Sequence, residues 1–368
     1  MHRAAVLTGL DEPLVLRDDV EAEAPRAGEI RIRVSACGVC RSDLSMQDGT
    51  MPIPMPAVLG HEASAVVEEV GEAVTDLSPG DHVVVSWVPQ CGRCYFCRRG
   101  QAQLCQTSDV VLLAGGLLDG TPRLRLDGAA LFQMCATGTF SEVTVIPASS
   151  AVKVADDLPL DVAALLGCGV LTGVGAALNT AAIAAGDTVA VVGCGGVGLN
   201  IIQGARIAGA GTIVAIDVNP GKLAAAEAFG ATAVVDASAE GPVNAVRDLT
   251  GQRGADVAFE ALGMEETIHQ TVDMTRRGGQ AVLVGIPRLD VMLRVPAMLG
   301  VVLQERTIKG CWYGSSDIRR DIPRLVDLYR DGSLLLDELV SRRIDLAEVN
   351  QAFDAMKAGD VGRSLIVY

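Results

Sequence analysis

Hydrophobic and polar positions change period along this chain. Residues 4–90 carry short β-rich segments such as "EIRIRVSA" and "HVVVSWV", separated by the turn-forming "PRAGE" and "SPGD", and a run of strands is expected there. Between Cys105 and Thr137 the pattern is irregular, with "AGG" and "DGTPRLRLDG". A long surface loop is predicted, and loops of that length are uncommon without a role. From about Val162 buried-strand runs alternate with Ala-rich helical ones: "DTVAVVG", "GLNIIQGARIAGA", "TIVAID", "GKLAAAEAFG" and "ATAVVD", then "ADVAFEAL" and "GQAVLVGI". That alternation predicts an α/β fold with a doubly wound parallel sheet. The tail returns to mixed strand and helix from about Tyr313 and ends on a strand in "RSLIVY".

Composition narrows the function. A chain of 368 residues is too long for one ordinary core, so two domains are expected. The net charge of −15 and the lack of a Lys/Arg-rich run exclude a nucleic-acid footprint, which needs a basic stripe to displace counterions. The N-terminal "MHRAAVLTGLDEP" offers an apolar run of only seven residues, Ala4 to Leu10, with no cleavage pattern, so a signal peptide is not expected. The longest uncharged stretch, residues 162–186, is interrupted by glycines, Thr172, Asn179 and Thr180, which argues against a membrane span. A cytoplasmic setting with reduced thiols is expected, and in it the ten cysteines are metal ligands before they are disulfides.

"VAVVGCGGVGLN" places Gly193, Gly195 and Gly198 in a G-x-G-x-x-G between a predicted strand and a predicted helix. The first glycine allows the turn, the second admits a pyrophosphate to the backbone, and the third lets helix and strand pack closely. The helix N-terminus then presents unpaired N–H groups to phosphate. Asp217 closes the next strand 19 residues beyond Gly198, where an acid accepts both ribose hydroxyls and repels a 2′-phosphate. NAD is therefore expected over NADP.

Metal chemistry is the second signal. Cys40 in "CGVCRSD" is followed by His61 and Glu62 in "LGHEA" and by Cys168 in "LLGCGVLTG". Two thiolates and one imidazole leave a fourth zinc position open, as a catalytic zinc requires. Of the other histidines, His82 and His269 read as structural and His2 as frayed.

These pieces converge. "GHE" with Glu62, the Cys40, His61 and Cys168 set, the four cysteines of "CGRCYFCRRGQAQLC", "GCGGVG" and the terminal "GRSLIVY" together resemble the zinc-dependent medium-chain alcohol dehydrogenases, in order along essentially the whole chain. The resemblance implies a GroES-like β-rich catalytic domain (1–169, completed by 313–368) and a Rossmann domain (170–312). It makes Cys91, Cys94, Cys97 and Cys105 a closed structural zinc site, which does no chemistry. A nucleic-acid zinc knuckle is disfavoured by the acidic chain. The rival class, zinc-free reductases and non-catalytic relatives, has no need of Cys40, His61 and Cys168 together.

By the same resemblance Ser42 touches the alcohol oxygen and starts a proton relay, Asp43 accepts from the His61 imidazole, and Glu62 visits the metal during ligand exchange. Many relatives place a histidine three residues after the relay hydroxyl; Ser45 stands there in this chain. Arg41 and Arg363 fall at pyrophosphate positions and Lys222 supports Asp217. Thr172, Gly196, Val197 and Ile286 lie along the cofactor. The substrate cleft corresponds to Met51, Trp87, Val110, Met134, Cys135, Ile286 and Trp312, an uncharged lining that favours a medium-sized hydrophobic primary alcohol or aldehyde. Cys37 and Cys194 read as core residues, and Cys311 as near the pocket. A formaldehyde–thiol adduct is the second-ranked substrate, because Asp109 stands where such enzymes carry an arginine. Actinobacterial relatives that share the "QMC" and "GTF" segments keep NAD bound and use an external acceptor. A homodimer is expected, with a tetramer as the alternative.

Overall fold

The computed structural model describes the whole chain except the side chains of Val110 and Leu113. The chain divides into two compact units, one formed by Met1–Gly169, Asp317–Arg330 and Leu336–Tyr368, the other by Val170–Ser316 and Asp331–Leu335.

The first unit is built on Glu29–Gly38, a ten-residue strand whose Ile30, Ile32, Val34 and Ala36 are buried. The outward Arg31 and Arg33 pair with Glu68 and Glu69 of the neighbouring strand Ala63–Val70. Period two thus turns one face to the core and leaves the other wet. This strand centres a seven-stranded sheet, in which Ala63–Val70, Val143–Pro147 and the C-terminal Arg363–Val367 all pair with it. The strands His2–Leu7, Val15–Ala22, Leu124–Leu126, Ala129–Gln133 and Ala57–Val58 close a small barrel.

Two expectations are corrected here. His2 is not frayed: it begins the first strand opposite Val20, and burial depresses its pKa to about 4. Nor is 105–137 a featureless loop, since it contains a helix, Ser108–Ala114, and the hairpin Leu124–Leu126/Ala129–Gln133. The two-residue connection is Asp127-Gly128, both at positive φ, as a tight hairpin matched to the strand twist requires.

The second unit is a six-stranded sheet, parallel throughout, in the order Ala233–Asp236, Thr212–Asp217, Thr188–Val192, Ala255–Glu260, Thr275–Leu283, Thr307–Gly310. Its order reverses beside Thr188–Val192, the place where such sheets open at their carboxyl ends to receive a ligand. Val189 to Val192 are all buried, covered on both faces. No single helix among the described residues is long and apolar enough to cross a membrane; the uncharged stretch instead is divided between two helical segments, Leu160–Gly167 and Gly169–Thr180.

Candidate functional site

Cys40 lies just beyond the central strand and caps the helix Arg41–Gln47. Asp43, in the first turn of that helix, is fully buried. One carboxylate oxygen accepts the Cys40 N–H at 2.8 Å; the other accepts the Gly60 N–H and faces His61 Nδ1, both at 3.0 Å. A carboxylate so placed holds a proton on Nδ1 and leaves Nε2 as the ring nitrogen a metal would take. Cys168 Sγ stands 3.4 Å from that Nε2. The ligand atoms of Cys40, His61 and Cys168 all lie within 4.8 Å of one another, and all three residues are buried.

A tetrahedral zinc with bonds of about 2.3 Å to sulfur and about 2.0 Å to nitrogen needs ligand separations of roughly 3.5–3.8 Å, so the donor set fits. Its proton chemistry fits as well. The Cys168 hydrogen bond, aided by Arg363 and His61 against burial, holds the Cys40 thiol well below its usual range. The same hydrogen bond, reinforced by burial, holds Cys168 well above it. Burial alone would lower the His61 pKa, but the charge and hydrogen bond of Asp43, with those of Cys40, raise it well above its ordinary value. Three buried groups that share protons in this way exchange them for a cation.

Glu62 is fully buried beside this set. Its Oε2 accepts the Gly169 N–H at 2.9 Å and lies 3.5 Å from Arg363 Nη2, while Oε1 has no hydrogen-bond partner. Burial pushes its pKa to about 7 against the pull of Arg363. Arg363 itself is buried and donates to the Val39 carbonyl at 3.2 Å. Arg41 is exposed.

The second cluster brings Cys91, Cys94, Cys97 and Cys105 together, again with sulfurs within 4.8 Å. Cys94 caps the short helix Tyr95–Arg98. Backbone N–H groups of Cys97 and Gln106 lower its thiol to about 6, whereas burial and the neighbouring thiols push Cys97 up to about 12. Arg93, Arg98 and Arg99, all exposed, are the cationic neighbours of this cluster along the chain.

In the second unit the turn after Thr188–Val192 leads into the helix Gly196–Ile207, capped by Gly195. A Cβ on Gly198 would sit 1.8 Å from the Gly193 carbonyl oxygen. Only glycine permits that contact between helix and strand end. The Asp217 carboxylate is anchored at both oxygens, by the Cys194 N–H at 2.8 Å and the Asn219 N–H at 3.0 Å. Lys222 lies in the first turn of the next helix, Pro220–Ala228.

Residues 26–156 match the family described as "Alcohol dehydrogenase GroES-like domain" and residues 196–331 that described as "Zinc-binding dehydrogenase". The chain is 40% identical over 372 residues to alcohol dehydrogenase class-3 of Drosophila melanogaster, covering 100% of this chain and 97% of that protein. It belongs to the zinc-dependent medium-chain alcohol dehydrogenases. Its relatives include the NDMA-dependent alcohol dehydrogenase of Amycolatopsis methanolica, 39% identical over 100% of this chain and 98% of that one. Among solved structures, benzyl alcohol dehydrogenase of Acinetobacter calcoaceticus superposes with a TM-score of 0.93 at 31% identity, over 100% of this chain and 99% of that one. This alcohol dehydrogenase is accordingly an oxidoreductase that uses zinc and NAD(H) on small alcohols and aldehydes.

Of the residues expected around the dehydrogenase's substrate, Trp87 is buried with its ring edge-on to His61, 6.4 Å between centroids. Met134 and Cys135 are buried in the same unit; burial pushes the Cys135 thiol up to about 11, with His61 and Asp43 close enough to act on it. Ser42 and Met51 are partly buried, and Ser42 Oγ lies 3.9 Å from Cys40 Sγ. The Val110 side chain lies outside the described residues. Thr172, Val197, Ile286 and Trp312 belong to the second unit, with Ile286 47% exposed. Cys37 and Cys194 are core residues. Sequence reasoning missed the roles of Gly60, whose N–H meets Asp43, of Thr137, whose hydroxyl meets the Gly60 carbonyl, and of Gln133, which braces the Thr137–Val145 segment. "LGHE" and "QMC" were the nearest signals.

Proposed function

We propose that this enzyme interconverts a medium-sized hydrophobic primary alcohol and its aldehyde with NAD, holding one catalytic zinc at Cys40, His61 and Cys168 and one structural zinc at Cys91, Cys94, Cys97 and Cys105. The observation that carries the proposal is the buried three-ligand set whose imidazole tautomer Asp43 fixes. Zinc bound there supplies a Lewis acid that lowers the pKa of the alcohol toward neutrality. NAD supplies the hydride acceptor.

The chain's own residues do the rest. Asp43 keeps the His61 Nδ1 proton in place, so the imidazole ligates as a neutral donor. Ser42 would relay the alcohol's proton, its oxygen taking that proton as its own O–H proton passes on. Ser45 cannot act as a histidine base, so the proton leaves through water or the cofactor ribose. Glu62, whose Oε1 has no hydrogen-bond partner, is the carboxylate that would be available to the zinc during ligand exchange. Arg41 and Arg363 serve the pyrophosphate, Gly193, Gly195, Gly196 and Gly198 admit it, and Thr172, Val197 and Ile286 pack along the cofactor. Asp217, supported by Lys222, selects NAD by repelling a 2′-phosphate. Met51, Trp87, Met134 and Cys135 of the first unit stand at the positions that the family resemblance gives to the substrate; their apolar and aromatic character, with the structural likeness to a benzyl alcohol dehydrogenase, favours an aromatic or allylic alcohol.

The 39% identity to an NDMA-dependent enzyme favours a second reading in which NAD stays bound and an external acceptor reoxidises it. The test is nicotinamide absorbance on adding benzyl alcohol, short alkanols and polyols with NAD or NADP. Many turnovers with NAD and benzyl alcohol support the first reading. A single-turnover burst supports the second, and reduction of NADP alone contradicts the assignment of Asp217.

A homodimer in the cytoplasm completes the proposal. Leu289 (91% exposed), Met292, Met298, Leu299 and Val302 are exposed apolar residues in the segment ahead of the edge strand Thr307–Gly310, which a second copy of the chain would cover. A monomeric mass in solution would end the dimer assignment.

A further inference from the structure

The segment Gln133–Phe140 is held in an unusual shape. Cys135 (φ 49°, ψ 37°) and Ala136 (φ 57°) are consecutive non-glycine residues in the left-handed region, and such backbone persists only where its surroundings force it. The forcing groups are fully buried side chains: Gln133, Thr137 and Thr144. Gln133 Nε2 donates to Thr144 Oγ1 and to the Val145 carbonyl, both at 3.0 Å, while its Oε1 accepts the Arg123 N–H at 2.7 Å. Thr144 Oγ1 donates to the Thr137 carbonyl at 2.7 Å. Thr137 Oγ1 lies 2.7 Å from the Met134 carbonyl and 2.9 Å from the Gly60 carbonyl, so one proton serves two acceptors.

Gly60 is where this network meets the metal ligands. Its φ is +90°, and a Cβ there would lie 2.5 Å from the Phe140 nitrogen. Only glycine lets the two segments touch. The Gly60 carbonyl takes the Thr137 hydroxyl and also the Thr139 N–H at 3.0 Å. Its own N–H donates to Asp43 Oδ1, the oxygen that also faces His61 Nδ1. One hydroxyl and one peptide group therefore join the turn that carries Met134 and Cys135 to the ligand His61.

We propose that Thr137 is a positioning residue that sets alcohol selectivity, by holding the Met134–Ala136 turn against Gly60 and, through Asp43, the imidazole of His61. This rests on the reading of Met134 and Cys135 as substrate-lining. Without the hydroxyl, the turn loses one of its two hydrogen bonds to the Gly60 carbonyl, the one nearest Met134 and Cys135, and the two side chains move relative to His61.

The experiment compares holoenzyme with Thr137→Val, which keeps the shape and removes the donor, and Thr137→Ser, which restores it. Two quantities are read: the ratio of kcat/KM for benzyl alcohol over a short alkanol, and the visible spectrum of the cobalt-substituted protein. Thr137→Val should change the ratio by about tenfold, the size of effect a reshaped apolar pocket gives, and shift the cobalt bands, while Thr137→Ser returns both to wild type. Equal losses on both alcohols with an unchanged ratio and spectrum would overturn the proposal, because that is what a merely structural threonine does. Should the wild type oxidise neither alcohol, the substrate reading falls, and the cobalt spectrum alone decides the link from Thr137 to His61.

Discussion

Asp43 concentrates the physics of this site in one side chain. Its two oxygens meet the Cys40 N–H, the Gly60 N–H and His61 Nδ1. It thereby sets the backbone of one ligand and the tautomer of another. In Asp43→Asn the amide cannot accept at both ends, so either Cys40 or His61 loses its restraint. The expected outcome is a metal affinity at the catalytic site lower by about 10–100-fold, read by chelator competition, with the four-thiolate site unaffected. Unchanged affinity would mean that Asp43 only caps its helix. At this scale the ligands themselves were legible, since cysteine and histidine are few and their company is informative. Thr137 was not, because its partner Gly60 lies 77 positions away, and nothing in a local pattern marks which buried hydroxyl reaches which carbonyl.

Among the elements, the hairpin that replaces the expected loop owes its place to Arg123. That side chain is 1% exposed, donates to both Glu29 oxygens at 2.9 and 2.6 Å, and reaches Asp119 at 2.7 Å and the Thr121 carbonyl at 2.9 Å. Burying a guanidinium is tolerable only because each donor direction is answered. Arg123→Ala strands the Glu29 carboxylate and should cost about 3–5 kcal/mol, measured as a lower denaturation midpoint. Pairing it with Glu29→Gln should recover part of that loss. A midpoint unmoved by Arg123→Ala would contradict this account of the hairpin. The parallel strands were readable because continuous apolar runs between Ala-rich helices have few other uses. The hairpin was harder: three-residue strands carry little periodicity, and the buried pair that stabilises them spans 94 positions. "DG" was the available cue, and it sat inside a stretch whose polar residues read as loop.

For the whole molecule, the arrangement divides labour between two units. One supplies two buried cysteines and an imidazole on a β-rich scaffold; the other supplies a parallel sheet whose order reverses at a glycine turn. The α/β class and the dehydrogenase family were legible from the order of motifs. The buried pairing of Arg363 with Glu62 was not, because an arginine in a terminal strand reads equally as a surface or a phosphate-binding group. The central claim is that Cys40, His61 and Cys168 hold the zinc on which turnover depends. The most direct test is zinc content per chain, measured together with NADH formation, in wild type and in His61→Ala. The account predicts two zinc ions in the wild type and one in the variant, with turnover reduced at least about a thousandfold on loss of several kcal/mol of transition-state stabilisation. A variant that keeps both zincs and its activity, or an active wild type that contains no zinc, would contradict it.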